Sequence, residues 1–304
     1  MGRSLAMLAL LCACNARLGE MSGNTSHLDA WDAIGDASTD GRGDATAGKD
    51  AVVLGAWGTP TPIPGASTAT NGEDDDTLSA NTLDLIFAFQ PAGAATKSLY
   101  EMTRATTTAA WTTPVQLTTI DIGMSEESPR LSLDDLTLYF GIDGDIYQST
   151  RATIGGAFSA PTKVTAISTT AYEKWMAICA GNVVMVSRAN GANEQDLFEG
   201  TLTGGATTAD TVLNSASNEI STYLSPDCLT VYFSSDRSGQ SQLYTSTRAT
   251  INDAWTTPTL APTPFSPADG SDNEDAWISS DLRTFVFAGI RGAATTKDLY
   301  ISTR

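Results

Sequence analysis

The chain has 304 residues, with 35 Asp and Glu against 17 Lys and Arg, a formal net charge of −18. That excess of negative charge argues against nucleic acid or an anionic membrane surface as partner. The one histidine, His27, lies outside the repeats described below, which excludes Ser-His-Asp and Cys-His catalysis and His-ligated zinc from the folded part.

Residues 1–13 read as a lipoprotein signal peptide. Arg3 precedes an apolar run from Leu5 to Cys12, which is shorter than the roughly 20 residues a spanning helix needs. The segment "LCAC", Leu11 to Cys14, resembles a bacterial lipobox, with leucine three positions before Cys14 and Ala13 directly before it. This pattern predicts cleavage before Cys14 and lipidation of its thiol; an ordinary secretory signal is the other reading. The expected protein is anchored to the bacterial cell envelope by lipid alone, facing the periplasm or the exterior. Residues 14–52 are rich in Gly, Ala, Asp, Ser and Thr and lack apolar periodicity, as a flexible tether would be. The triplet Arg42-Gly43-Asp44 inside it is a product of that composition.

From residue 53 to 304 the sequence repeats itself. A strand-like pattern recurs as "LDLIF" (Leu83–Phe87), "LTLYF" (Leu136–Phe140), "VVMVS" (Val183–Ser187), "LTVYF" (Leu229–Phe233) and "RTFVF" (Arg283–Phe287). A second strand follows each one and ends on Arg104, Arg151, Leu202, Arg248 or Arg304, at a spacing near 50 residues. An "AW-TP" element comes next, and a short strand such as Ser128–Ser132 precedes each unit. Four short antiparallel strands at this period, with no helical pattern between them, predict an all-β fold, a five-bladed β-propeller of four-stranded blades. The fifth unit carries only three of its strands. An orphan "AWGTP" stands at Ala56 to Pro60, so Ala56–Ile63 is expected to complete the last blade and close the ring, removing exposed sheet edges.

Each unit also carries a carboxylate at the entrance of its innermost strand: Glu73/Asp74, Glu126/Glu127, Glu173, Glu219 and Glu274. In a propeller these would ring one mouth of the central channel. They could cap backbone groups, bind calcium through oxygen ligands (with "ADGSDNED", Ala268–Asp275, as the richest donor loop), or supply a general acid and base. Repetition in every unit favours a structural role, because catalysis breaks symmetry. Asn81, Asp134, Asp227 and Asp281 are each expected to staple the arginine of their own blade. The aromatics Trp57, Trp111, Phe158 and Trp255 are expected to pack between layers. Trp175 and Trp277, on or near innermost strands, are the better candidates for stacking on a ligand. Cys179 and Cys228 either pair or remain buried thiols.

The segments "ESPRLSLDDLTLYFGIDGDIYQSTRAT" and "EISTYLSPDCLTVYFSSDRSGQSQLYTSTRAT" resemble the WD40-like β-propeller repeat of bacterial envelope proteins, relatives of the TolB propeller. Ser225-Pro226-Asp227 and Ser234–Gly239 match that repeat best, and the third unit departs most, with "CAGN" in place of its turn. The resemblance spans residues 73 to 304 and implies a propeller without fixing an activity. A monomer that binds a protein or glycan without catalysis through Glu73, Asp74, Glu127, Glu173, Glu219, Glu274, Trp175 and Trp277 is expected. A glycoside hydrolase using two of the carboxylates is the alternative.

Overall fold

The strand that carries the "LDLIF" pattern in each repeat is apolar at nearly every position, and this dictates where it sits. Leu85, Ile86, Phe87 and Ala88 are all fully buried, as are Val184, Met185 and Val186. Only a strand covered on both faces hides consecutive residues, because side chains alternate between faces. A computed structural model, describing residues 54–68, 71–191, 194–266, 271–292 and 294–304, accounts for this with five antiparallel sheets packed face to face in a ring.

Blade 1 comprises Glu73–Leu78, Asp84–Phe89, Ser98–Thr103 and Val115–Gln116, from channel to rim. Blade 2 has Glu126–Leu131, Thr137–Ile142, Asp145–Thr150 and Thr162–Lys163. Blade 3 has Glu173–Ile178, Val183–Ala189, Gln195–Thr201 and Gly205–Ala209. Blade 4 has Glu219–Leu224, Thr230–Ser235, Gln242–Thr247 and Thr259–Leu260. Blade 5 takes Asp272–Ile278, Thr284–Ile290 and Asp298–Thr303 from one end of the chain and Thr61–Pro62 from the other. Innermost strands of successive blades touch, and the fifth touches the first.

The closure follows the sequence expectation. Thr61 pairs with Ile301 and Pro62 with Tyr300. Flanking bonds extend the seam, from Gly58 N to Thr303 O (3.0 Å) and from Ile63 N to Leu299 O (2.8 Å). The Arg304 guanidinium lies 4.2 Å above the Trp57 ring. The same lock recurs within blades 1, 2 and 4, as Arg104 on Trp111, Arg151 on Phe158 and Arg248 on Trp255. Each lock gives its aromatic a cationic lid as well as a packing partner. Outer strands are two residues long except in blade 3, so most of the sequence expected to be outer strand is hydrogen-bonded loop.

The expected staple between aspartate and arginine within a blade is replaced by two separate devices. Asp134 accepts from Ser132 Oγ (2.6 Å) and Leu136 N (3.1 Å), closing its own turn. Asn81, Asp227 and Asp281 do the same with Ser79, Ser225 and Ser279. The residue after each takes a left-handed conformation: Thr82, Asp135, Cys228 and Leu282 have φ of 61°, 59°, 63° and 58°. Such a backbone places the Asx side chain over the turn amides and away from the arginine. Arg151 instead donates Nε to the Asp135 carbonyl (2.8 Å) and its other nitrogens to Asp84 (2.9 Å) and Glu101 (3.1 Å) of blade 1. It therefore joins neighbouring blades.

Cys179 and Cys228 form a disulfide between the turns of blades 3 and 4. The same contact between blades 1 and 2 is non-covalent, with both Asp135 oxygens 3.1 Å from Ala80 N. Cys14 and the expected signal segment and tether lie outside the described residues.

Candidate functional site

The channel entrance is built from two consecutive positions of each innermost strand, and the two have different fates. Glu73, Glu126, Glu173 and Glu219 are fully buried. They do not line the opening; they hold the loop that leads into their own strand. Glu73 accepts from Thr68 N (3.1 Å) and Oγ1 (2.7 Å), Glu219 from Ser215 N (3.0 Å) and Oγ (2.7 Å), Glu173 from Thr169 N (3.1 Å), and Glu126 from Ile122 N (3.1 Å). In blade 5 the clamp position is Asn273, which accepts from Arg291 Nε (2.9 Å). Arginines reinforce two further clamps, Arg188 on Glu173 (2.6 Å) and Arg237 on Glu219 (2.8 Å). No arginine follows the second strand in blades 1 and 2. There burial dominates, pushing Glu73 and Glu126 up to about 7.

One residue later the side chains turn to the entrance, as strand alternation requires. Asp74, Glu127 and Glu274 stand here, interleaved with lysines. Lys97 binds Asp74 (2.7 Å) and Glu127 (3.3 Å); Lys174 binds Glu127 (3.4 Å) and Asp75 (3.4 Å); Lys297 pairs with Glu274. The mouth is thus a network of ion pairs and not a ring of acids. Its anions hold all three ammonium groups above the ordinary lysine range, against the opposing effect of burial. Sequence reasoning missed these lysines, although Lys97 and Lys297 stand at matching places, in "TKSLY" and "TKDLY".

Two links then cross the channel axis. Trp175 of blade 3 donates Nε1 to Asp75 of blade 1 (2.9 Å), and Lys174 covers its ring at 4.5 Å. Deeper, Arg130 of blade 2 donates Nη2 to the Thr222 carbonyl of blade 4 (3.3 Å). Neither pair of blades is adjacent in the ring, so each link spans the bore. The space between the two links is about 10 Å³, bounded by Asp75, Asp76, Ser128, Arg130, Trp175, Thr222 and Asp275, and is large enough for about one water molecule. Both carboxylate oxygens of Asp76, the hydroxyls of Ser128 and Thr222, and Nε and Nη1 of Arg130 are buried there without a hydrogen-bond partner among the described residues. Burial pushes Asp76 up to about 8, despite Arg130 nearby.

Asp75 and Asp275 meet at this level, with Asp75 N donating to Asp275 Oδ2 (3.1 Å). Burial would raise Asp75, but Lys174, Lys97 and the Trp175 hydrogen bond outweigh it and hold the group well below the carboxylate range. Burial and the charge of Asp75 push Asp275 well above that range. Separated affinities of this kind suit an acid and base, but the two are 4% and 3% exposed.

Beyond Arg130 the channel widens at the turn side into a cavity of about 200 Å³, lined by Leu131, Leu133, Tyr223, Pro226 and Trp277. Trp277 is buried here, edge-on to Tyr223 at 6.4 Å. The two tryptophans singled out in the sequence therefore sit at opposite ends of the channel. Among the described residues, no group of three or more His, Cys, Asp or Glu side chains is placed to hold a metal ion. Residues 268–270 of the oxygen-rich loop lie outside them.

No family model and no curated protein matches the chain. Solved structures do. An α-L-arabinofuranosidase from Podospora anserina, in complex with cellotriose, is 16% identical with a TM-score of 0.52, covering 81% of this chain and 96% of its own. An endo-1,4-β-xylanase from Bacteroides thetaiotaomicron is 11% identical with a TM-score of 0.53, covering 77% and 92%. A TolB structure from Agrobacterium tumefaciens is 13% identical with a TM-score of 0.49, covering 76% of each chain. At these identities the likeness is one of fold.

Proposed function

We propose that this propeller is a binding module of the bacterial envelope, held by lipid at Cys14, that takes a protein or glycan partner across the mouth formed by Asp74, Glu127, Glu274, Lys97, Lys174 and Lys297. The observation that carries this reading is the blocked channel. Hydrolysis of a glycosidic bond needs two carboxyl groups flanking a sugar, roughly 5–10 Å apart. Here the strand-entrance carboxylates are spent on loop clamps or ion pairs, and Asp75 and Asp275 face a space fit for about one water. A mouth of fixed, alternating charges instead offers a patterned surface whose complement must match in sign at each point, which favours selectivity. The disulfide between blades 3 and 4 agrees with an oxidising, extracytoplasmic compartment.

The test is turnover. Aryl arabinofuranosides, xylosides and glucosides should be hydrolysed no faster by the protein than by buffer. Hydrolysis that disappears in Asp75→Asn or Asp275→Asn would overturn the reading in favour of a glycosidase.

A further inference from the structure

Blade 3 breaks the repeat at its outer half, and the break leaves a buried donor unpaired. Leu202 takes the arginine position, no aromatic follows it, and the chain turns straight from Thr201 to Gly205 into the outer strand. Gly200 permits this tight hairpin, since a Cβ there would lie 1.9 Å from the Gly205 carbonyl oxygen. Without the lock loop of the other blades, a groove of about 570 Å³ opens between the rim of blade 3 and the Ile251–Trp255 loop of blade 4. That volume falls within the roughly 300–1,000 Å³ of small-molecule sites.

The groove is lined by Val183, Glu199, Arg248 and Trp255, among others. Arg248 is 3% exposed. It donates Nε to the Cys228 carbonyl (2.8 Å) and Nη1 to Glu199 (2.7 Å), while its Nη2 is buried and reaches no acceptor among the described residues. Arg151 holds the same place at the interface of blades 1 and 2, and there the third donor is satisfied by Asp84, with Glu101 in the part of Glu199. The residue matching Asp84, first in its strand, is Val183. One carboxylate has been lost from an otherwise repeated constellation, at a point where the molecule has an open groove.

We infer that this groove binds a neutral carbohydrate segment of one or two rings, one of whose oxygens accepts from Arg248 Nη2. The lining selects the class. Carboxylates of Glu199, Asp210 and Asp253 disfavour an anion, on a chain whose net charge is already −18. A hydroxyl both accepts from the guanidinium and donates to a carboxylate, so one functional group satisfies both kinds of wall. The exposed side chains of Val212 and Ile251, 37% and 41% accessible, offer apolar contact to the C–H face of a sugar ring. The site is separate from the channel mouth and does not depend on the reading given above.

The test is titration of the disulfide-intact protein with cellotriose, xylotriose and maltotriose, with trigalacturonate as anionic control and an uncharged tetrapeptide amide as the alternative source of carbonyl acceptors. At least one neutral trisaccharide should bind. Val183→Asp, which restores the partner Arg151 has, should weaken that binding about tenfold or more by internalising the donor, with an unchanged or raised melting temperature. Asp253→Asn, on the rim, should also weaken it and guards against misfolding of the first variant. The inference fails if no neutral trisaccharide binds at millimolar concentration, if the anion or the peptide binds better, or if both variants bind as the wild type does.

Discussion

The arginine that follows the third strand of blades 1, 2, 4 and 5 had an evident partner in the sequence, the Asn or Asp in the turn between the first two strands of its own blade, because blade 3 lacks both together, with Gly181 and Leu202 in their places. The structure assigns the two to different tasks. Asp134 organises a turn with Ser132, whereas Arg151 crosses to Asp84 and Glu101 of the preceding blade. A side chain's reach across a blade interface cannot be read from spacing within one repeat. A double-mutant cycle on Asp84 and Arg151 should therefore return a coupling of about 1–3 kcal/mol, as buried charge-assisted contacts do. The cycle on Asp134 and Arg151 should return less than about 0.5 kcal/mol. Equal couplings would contradict these partners.

At the level of the strand, the entry loops differ between blades in a way that pH can expose. Clamps in blades 3 and 4 have an arginine on the glutamate; those in blades 1 and 2 do not. Glu73 and Glu126 rise from 4.5 to about 7 on folding, so between those values the folded state holds protons that the unfolded chain has released. Stability from these groups is full below pH 4.5, falls as pH rises through 7, and stays lowered above it. Chemical denaturation should find Glu126→Gln more stable than wild type at pH 8 and not at pH 5. A gain of the same size at both would show that titration is not the cause. The strands themselves were legible in the sequence, since an apolar segment recurs five times at a spacing near 50 residues. Which of Glu73 and Asp74 faces the entrance was not, because neighbouring positions on a strand point to opposite sides and the bulge after Asp74 resets the alternation. The mouth lysines were overlooked for a related reason: their significance lies in reaching another strand.

For the whole molecule, ring closure is the feature on which cooperativity rests. Trp57 packs against Phe265 and Phe285 at 5.1 and 5.9 Å, so the closing segment inserts into the core shared by blades 4, 5 and 1. Deleting residues through Pro64 should replace one sharp thermal transition by a broad one at lower temperature, followed by calorimetry. A truncated protein that melts as sharply and as high as the intact chain would refute the role of the seam. The two partners of that seam also lie far apart along the chain. Ser302 bonds to Gly58 across a sequence separation of 244, and joining segments so distant costs on the order of 5 kcal/mol in loop entropy, beyond a constant. During synthesis the closing segment emerges long before Asp298–Thr303 and must wait for it. Until Asp298–Thr303 arrives, Thr61–Pro62 has no strand to pair with, which makes ring completion the natural slow step of maturation and the stage at which a folding assistant would have the most to shield.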